Sequence, residues 1–245
     1  MEQKPYLKVE IDRLSFAAWP EFLHYGDVKH WSRLFDTFAH FQIVICEPEN
    51  QLIAVGHVVP VTWSGMVDNL PATITEILTR ALSDSENSSE VTTLAALAAM
   101  VSKTHQKQGL SSILLQAMKA IGAKYNLTSL IAPVRPTLKS KYPLIPIHKY
   151  VRWTRSDGLP FDPWMRVHSR LGAQSLEVAP QTITVKGSIA EWQTWTKMIF
   201  PESGDYVVQG ALQPVHIDCL KDEGVYQDPN IWMRHHINSE DAYFF

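Results

Sequence analysis

Between Thr92 and Gly122 the pattern of apolar and polar positions changes twice: an apolar run, a short polar elbow centred on Gly109, then an apolar stripe. In the last part Leu110, Ile113, Leu114, Ala117, Met118 and Ile121 recur at helical spacing, which predicts an amphipathic helix starting at the elbow. The preceding run, Leu94 to Val101, is rich in Ala, and intrinsic propensity alone makes it helical. Thr128 to Val134 is another short apolar run, consistent with a strand; two strands flanking the helix would form a βαβ unit.

The remaining pattern predicts further elements. Tyr6 to Ile11 alternates roughly, which reads as a loose lead-in or a first strand. Val28, Trp31, Leu34, Phe35 and Phe38 stand at helical spacing behind Asp27, a suitable N-cap, and this places Trp31 in the core. Phe41 to Glu47 and Leu52 to Trp63 read as a hairpin closed by Pro48-Glu49-Asn50-Gln51, with His57 a satisfied core or edge residue. Asn69 to Leu82 reads as a helix and Ser83 to Glu90 as a mobile polar loop. Lys139 to Pro160 is too interrupted by Pro for a long helix and is either a lid or an elaborated surface loop. Asp162-Pro163 opens a helix that stops at Gly172. Ser188 and Glu191 form a capping box for another short helix, and Tyr206 to Val208 and Ala211 to Ile217 read as strands. The segment from Asp218, with Trp232, His235 and His236, has no clear assignment; paired histidines near a terminus are ordinarily packing or surface residues, not a metal site.

The elbow carries the first chemical expectation. Gln106, Lys107, Gln108, Gly109, Leu110 and Ser111 lie where backbone N–H groups lack intrahelical partners and the helix dipole is positive, as a pyrophosphate requires. Gly109 permits close approach of backbone and ligand, and Lys107 adds charge. Dinucleotide and Walker-type Gly patterns are absent.

Gln106, Gly109 and Ser111 are similar to the Gln/Arg-x-x-Gly-x-Gly/Ala signature of the GCN5-related N-acetyltransferases, with Ser in place of the usual small last residue. The resemblance implies binding of acetyl-CoA or another acyl-CoA at the elbow. It also implies a mixed α/β fold with a central sheet and helices on both faces. It makes the Ala-rich run a central strand, whose small residues suit close passage of a ligand, with Met100, Val101 and Ser102 beside the pantetheine arm. A second match follows: the last conserved helix of that superfamily ends Tyr-x-x-x-Gly, and this chain reads His168-Ser169-Arg170-Leu171-Gly172, with His168 at the position of the general acid. The resemblance covers about residues 40–180 of what is expected to be one domain, 1–245, with a C-terminal elaboration.

No Asp or Glu stands between Val91 and Lys124, where an N-acetyltransferase commonly keeps its base, although Glu90 or a water could serve. The stretch Ala132 to Gly172 resembles the acetyltransferase-like domain of curacin-type polyketide synthase loading modules. That likeness implies decarboxylation of malonyl-CoA and transfer of acetyl to a carrier-protein thiol, with Thr137 and His168 as catalytic residues stabilising an enolate oxygen or holding the malonyl carboxylate. Three readings therefore stand: an acyltransferase acting on an amine or an acyl carrier protein, a malonyl-CoA decarboxylase and S-acetyltransferase, and a non-catalytic acyl-CoA-binding protein. His168 could equally be a packing residue at a helix C-terminus, and Thr137 a helix N-cap. Arg135, Trp31 and Trp63 are candidates for the substrate pocket, with core the competing role for both Trp residues.

Composition narrows the classes. At 245 residues the chain can bury a full core, and 45% apolar with 19% charged residues is ordinary for a globular protein. A net charge of −3 with scattered Lys and Arg offers no footprint for nucleic acid. Cys46 and Cys219 are far apart and outside any Cys-x-x-Cys spacing, against a disulfide framework or metal site. With neither a leader-like segment nor an 18-residue apolar span, a cytoplasmic location and no membrane partner are expected.

Overall fold

A computed structural model describes residues 6–48 and 51–244. Its centre is a mixed sheet in which β1 (Ile43–Cys46), β2 (Leu52–Val61), β3 (Thr93–Val101) and β4 (Ser129–Val134) follow one another, and β4 then pairs with β8 (Glu223–His236). Helices flank both faces. On one face α3 (Leu110–Lys124) and α5 (Pro163–Arg170) pack on Ala54, Val58, Leu94, Leu130 and Val134. On the other, α2 (Ile74–Glu86) packs on Val59, Val61, Ala95 and Ile131, while Ile11 and Leu14 of α1 (Tyr6–Ala18) meet Val55 and Met100. Alternation along each strand thus assigns every side chain to one helix layer.

The Ala-rich run is a strand, against its propensity. Tertiary pairing outweighs a few tenths of a kcal/mol per residue of helix preference: β2 is antiparallel to β3 along its whole length. The pairs His57↔Ala98 and Val58↔Ala96 leave Leu97 unopposed, so β3 carries a bulge at its middle. On its other edge β3 is parallel to β4 through only three pairs, Thr93↔Ser129 to Ala95↔Ile131. Beyond them the strands diverge. β4 stays paired to β8 along its whole length, Ser129 to Val134 against His236 to Ile231, while it leaves β3 after Ile131. The resulting cleft is built into the sheet.

β8 is the strand that the apolar pattern left unassigned, and so is its partner β5 (Gln174–Gly187). Opposite β5, β8 pairs in succession with β4 and with β7 (Val215–Asp218), which in turn pairs with β6 (Gly204–Tyr206). The strand expected at Tyr206 to Val208 is therefore displaced by two residues, and the one expected at Ala211 to Ile217 is shorter and starts later. The capping box holds as expected at α6 (Ile189–Thr196), whose Trp192 and Trp195 fill a second core under these strands.

The structure corrects three further expectations. Tyr6 onward is helical, because Leu7, Ile11 and Leu14 at i, i+4 and i+7 form a buried stripe that outweighs the rough alternation. Residues 27–39 form no α-helix. His30 takes a left-handed conformation, φ 66°, and two 3-10 turns follow, Trp31–Leu34 and Ala39–Phe41, which still bury Leu34 and Phe38. The polar segment after Leu82 continues as helix to Glu86. The hairpin of β1 and β2 forms as expected, although Glu49 and Asn50 of its turn lie outside the described residues. Lys139 to Pro160 contains only a 3-10 turn and α4 (Ile147–Tyr150), and its Tyr142, Tyr150 and Trp153 pack with Phe161 into an aromatic cluster.

Candidate functional site

At the elbow two residues take left-handed backbone conformations, Lys107 with φ 66° and Gly109 with φ 82°. A Cβ at Gly109 would meet nothing within 4 Å, so the turn requires glycine for its conformation and leaves open space in front of it. Among the described residues, no hydrogen bond is donated by the N–H groups of Gln108, Gly109, Leu110 or Ser111. These free donors and the N-terminal dipole of the 15-residue α3 form a nest suited to a diphosphate. The elbow is braced from behind: His105 Nδ1 lies 2.7 Å from Ser102 Oγ and its Nε2 3.2 Å from Glu47.

A cavity of about 740 Å³ runs from the elbow through the cleft between β3 and β4. Gln106, Lys107, Ser111, Met100 and Val101 line it at one end, and Ala96, Ala98 and Ala99 along β3. Ala132 to Arg135, Thr137, Trp164, Val167 and His168 line the opposite wall. Among the described residues no Asp or Glu lines it, and His168 is the one His that does.

A buried carboxylate aligns Thr137 with His168. Asp162 accepts from Trp164 N and Met165 N as the N-cap of α5. Its other oxygen accepts from Leu138 N at 2.8 Å and from the Tyr150 hydroxyl at 3.0 Å. One side chain therefore joins the helix carrying His168 to the loop carrying Thr137. Burial, with Asp162 beside it, pushes the Tyr150 hydroxyl pKa well up, so Tyr150 stays a donor. Thr137 is exposed and caps no helix.

His168 sits at the wall of the cavity with its ring 4.3 Å, centroid to centroid, from Trp164 and almost no exposure. Its Nδ1 lies 2.9 Å from Nε2 of His235 on β8, and its Nε2 has no partner among the described residues. Burial, and secondarily the neighbouring His235, lower the His168 pKa well below 6.5; burial lowers that of His235 to about 4. Both rings are neutral at neutral pH, so the pair shares one proton between Nδ1 of His168 and Nε2 of His235. The carbonyl of Leu171 acts on His235 and raises its pKa against burial. Where His168 Nδ1 holds the shared proton, its Nε2 carries a lone pair; where His235 Nε2 holds it, His168 Nε2 carries a proton and donates.

Arg135 is the first residue after β4. Its Nε donates to both oxygens of Asp228 at 3.0 Å, its Nη2 to the Gly210 carbonyl at 2.9 Å, and its guanidinium lies 6.0 Å from the Trp19 ring. Asp228 also accepts from the Tyr226 hydroxyl at 2.6 Å. Burial opposes the charge on Arg135, but the Asp228 carboxylate overrides it and raises the pKa above its ordinary value. The partners Gly210, Tyr226 and Asp228 come from the C-terminal third, where the sequence carried no motif to single them out.

Of the residues singled out from the sequence, Met100, Val101, Gln106, Lys107, Ser111, Arg135, Thr137 and His168 line the one cavity. Ser102, Gln108, Gly109 and Leu110 belong to the same elbow but are not among the lining residues. Trp31 and Trp63 are elsewhere. Trp31 packs edge-on against His57, and Trp63 is buried with its Nε1 donating to the Met66 carbonyl. His57 is a buried core histidine as expected, with Nδ1 2.8 Å from Gln42. Among the described residues there is no group of three or more His, Cys, Asp or Glu that could hold a metal ion, and no helix long and apolar enough to cross a membrane.

No protein-family model matches the chain. The chain is 30% identical over 252 residues to the arginine N-acetyltransferase avaD of Aspergillus versicolor, covering 91% of this chain and 86% of the relative. Its fold is similar to that of the loading GNATL domain of CurA from Lyngbya majuscula, with a TM-score of 0.62, 17% identity, and 93% and 92% of the two chains covered. It is also similar to that of the GphF GNAT-like decarboxylase, solved with isobutyryl-CoA, with a TM-score of 0.57, 14% identity and 94% of each chain covered. With a parallel strand pair splayed over a glycine elbow, and a relative of this identity along nearly all its length, the chain belongs to the GCN5-related N-acetyltransferase superfamily.

Proposed function

We propose that the protein is an acyl-CoA-dependent N-acyltransferase that takes acetyl-CoA or a related acyl-CoA and acylates a small amine. The observation that carries this reading is the continuity of the cavity, from Gln106, Lys107 and Ser111 of the elbow, through the cleft between β3 and β4, to the His168 wall. The diphosphate lies at the elbow and the pantetheine arm between the strands, where Ala96, Ala98 and Ala99 leave room. The thioester is presented to the far side. Among the described residues no carboxylate lines the cavity, so His168 is the proton acceptor available there. With Nδ1 donating to His235, Nε2 of His168 carries a lone pair, the state that removes a proton from an ammonium group, whereas donation to an enolate oxygen needs the other tautomer. Nε2 is buried, so a neighbouring side chain has to move for it to meet the substrate. The activity named for the Aspergillus relative, arginine N-acetylation, supports an amine acceptor and suggests arginine as the first to try.

A second reading has its own support: Thr137 and His168 line the same cavity, as malonyl decarboxylation with S-acetyl transfer to an acyl carrier protein would need. One experiment separates the two. The protein is incubated with acetyl-CoA or malonyl-CoA, with and without amines, L-arginine among them, and a carrier protein; free thiol, CO₂ and acyl products are then followed by mass spectrometry. Acetylated amine from acetyl-CoA is expected. Acetyl-CoA appearing from malonyl-CoA, abolished by His168→Ala, would transfer the assignment to decarboxylation. Binding of acyl-CoA with no turnover in any arm would leave a non-catalytic acyl-CoA-binding protein.

A further inference from the structure

Charge is unevenly placed along the cavity. Lys103 and Lys107 stand at the elbow end, where a nucleotide phosphate accounts for them, but Arg135 lies at the other side of the cleft. Alternation along β4 sends Leu130, Ala132 and Val134 to the layer of α3 and α5, and Ile131 to the opposite layer. Arg135 follows Val134 and turns to that opposite side, against Trp19 at the end of α1 and the Gly210 carbonyl. Arg135 and His168 nevertheless line the same cavity, away from the elbow.

The guanidinium is also prepared for a ligand. Asp228 holds Nε and Gly210 holds Nη2, while Nη1 donates no hydrogen bond to any described residue. The side chain is ordered before binding, which removes most of the rotamer entropy that a free Arg would lose. Thr137 lies two residues on and lines the same cavity, its hydroxyl making no hydrogen bond to any described residue. A bare amine gains nothing from such a site, since among the described residues the cavity offers it no carboxylate.

We propose that Arg135 is a carboxylate receptor on the far side of the cleft, its Nη1, with the Thr137 hydroxyl, taking a carboxylate carried either by the acyl acceptor or by the end of the acyl group. The inference rests on the reading above only in assigning the elbow end to acyl-CoA. Asp228 fixes and partly neutralises the guanidinium, so the site selects a carboxylate by directed hydrogen bonds more than by net charge.

The test starts on the unmodified protein. Its arginine side-chain resonances are followed by ¹⁵N-edited NMR during titration with N-acetylglycine and, separately, N-acetylglycinamide, and R135K identifies the Arg135 signals. The acid is expected to shift them and the amide to leave them unmoved; equal responses overturn the proposal. This measurement needs no acyl-CoA, so it stands even where acetyl-CoA fails to bind and the proposed function falls. Two further arms locate the carboxylate. If it belongs to the acceptor, free L-amino acids exceed their carboxamides at least tenfold in kcat/KM for acetyl transfer. If it belongs to the acyl group, malonyl-CoA binds at least tenfold more tightly than acetyl-CoA in calorimetry. The preference should vanish in R135Q/D228N, which removes both charges and strands neither, while acetyl-CoA affinity stays within about twofold. A preference that survives in that variant, or no preference in either arm, refutes the assignment.

Discussion

Asp162→Ala tests whether one buried carboxylate holds the two halves of the site together. Asp162 accepts four hydrogen bonds, from Leu138 N, the Tyr150 hydroxyl, Trp164 N and Met165 N. Loss of the N-cap of α5 costs about 1 kcal/mol. The Tyr150 hydroxyl, left buried without an acceptor, costs about 1 to 3 kcal/mol, and the part-buried Leu138 N–H about 1 kcal/mol more. The total is about 3 to 5 kcal/mol, equivalent to a fall in Tm of about 6 to 20 °C at this chain length. Urea unfolding followed by circular dichroism, with calorimetry, measures it. Tyr150→Phe, which removes one donor and leaves the cap intact, should cost only about 1 kcal/mol. Where D162A remains folded, kcat should fall more than acetyl-CoA affinity, because the elbow lies on other elements. A loss below about 1 kcal/mol, or one equal to that of Y150F, would refute the claim that Asp162 couples the Thr137 loop to the His168 helix.

Three further outcomes are expected. Gly109→Ala puts an L-residue at φ 82° into open space, so stability should fall by only about 1 to 2 kcal/mol while acetyl-CoA binding, read by calorimetry, weakens at least tenfold; unchanged affinity would remove the diphosphate from the elbow. His168→Gln should lower kcat for amine acetylation by about 100-fold with the acetyl-CoA Kd unchanged, and an equal loss of binding would make His168 a packing residue. Stability should decline as the pH drops from about 6.5 to about 4. His57 and His235 have folded pKa values of about 4 against 6.5 unfolded, so in that window the unfolded chain binds more protons, at up to about 1.4 kcal/mol per pH unit for each residue. His57→Phe should remove close to one proton from the slope of unfolding free energy against pH, and a slope of opposite sign in the parent protein would contradict the burial of these rings.

What could be read without coordinates was local. The stripe of α3, the Asp162-Pro163 start and Gly172 stop of α5, and the Ser188 capping box depend on neighbours within a turn or two, and all three form as expected. The elbow could be read for the same reason, because Gly109 and the free N–H groups are properties of one helix end. The Ala-rich run could not be decided this way: its propensity is helical, and only pairing with β2 and the three-residue contact with β4 makes it a strand with a cleft beside it.

The tertiary structure alone supplied β5 and β8, whose apolar positions are too irregular to announce two strands of 14 residues. With β8 came His235 against His168, and Asp228 against Arg135, partners 67 and 93 positions apart in the chain. The physical reason is the range of the interactions. Helix stripes, caps and left-handed turns are settled by contacts within a few residues. By contrast, the tautomer of a buried imidazole and the fixing of a guanidinium depend on which distant strand the sheet brings alongside.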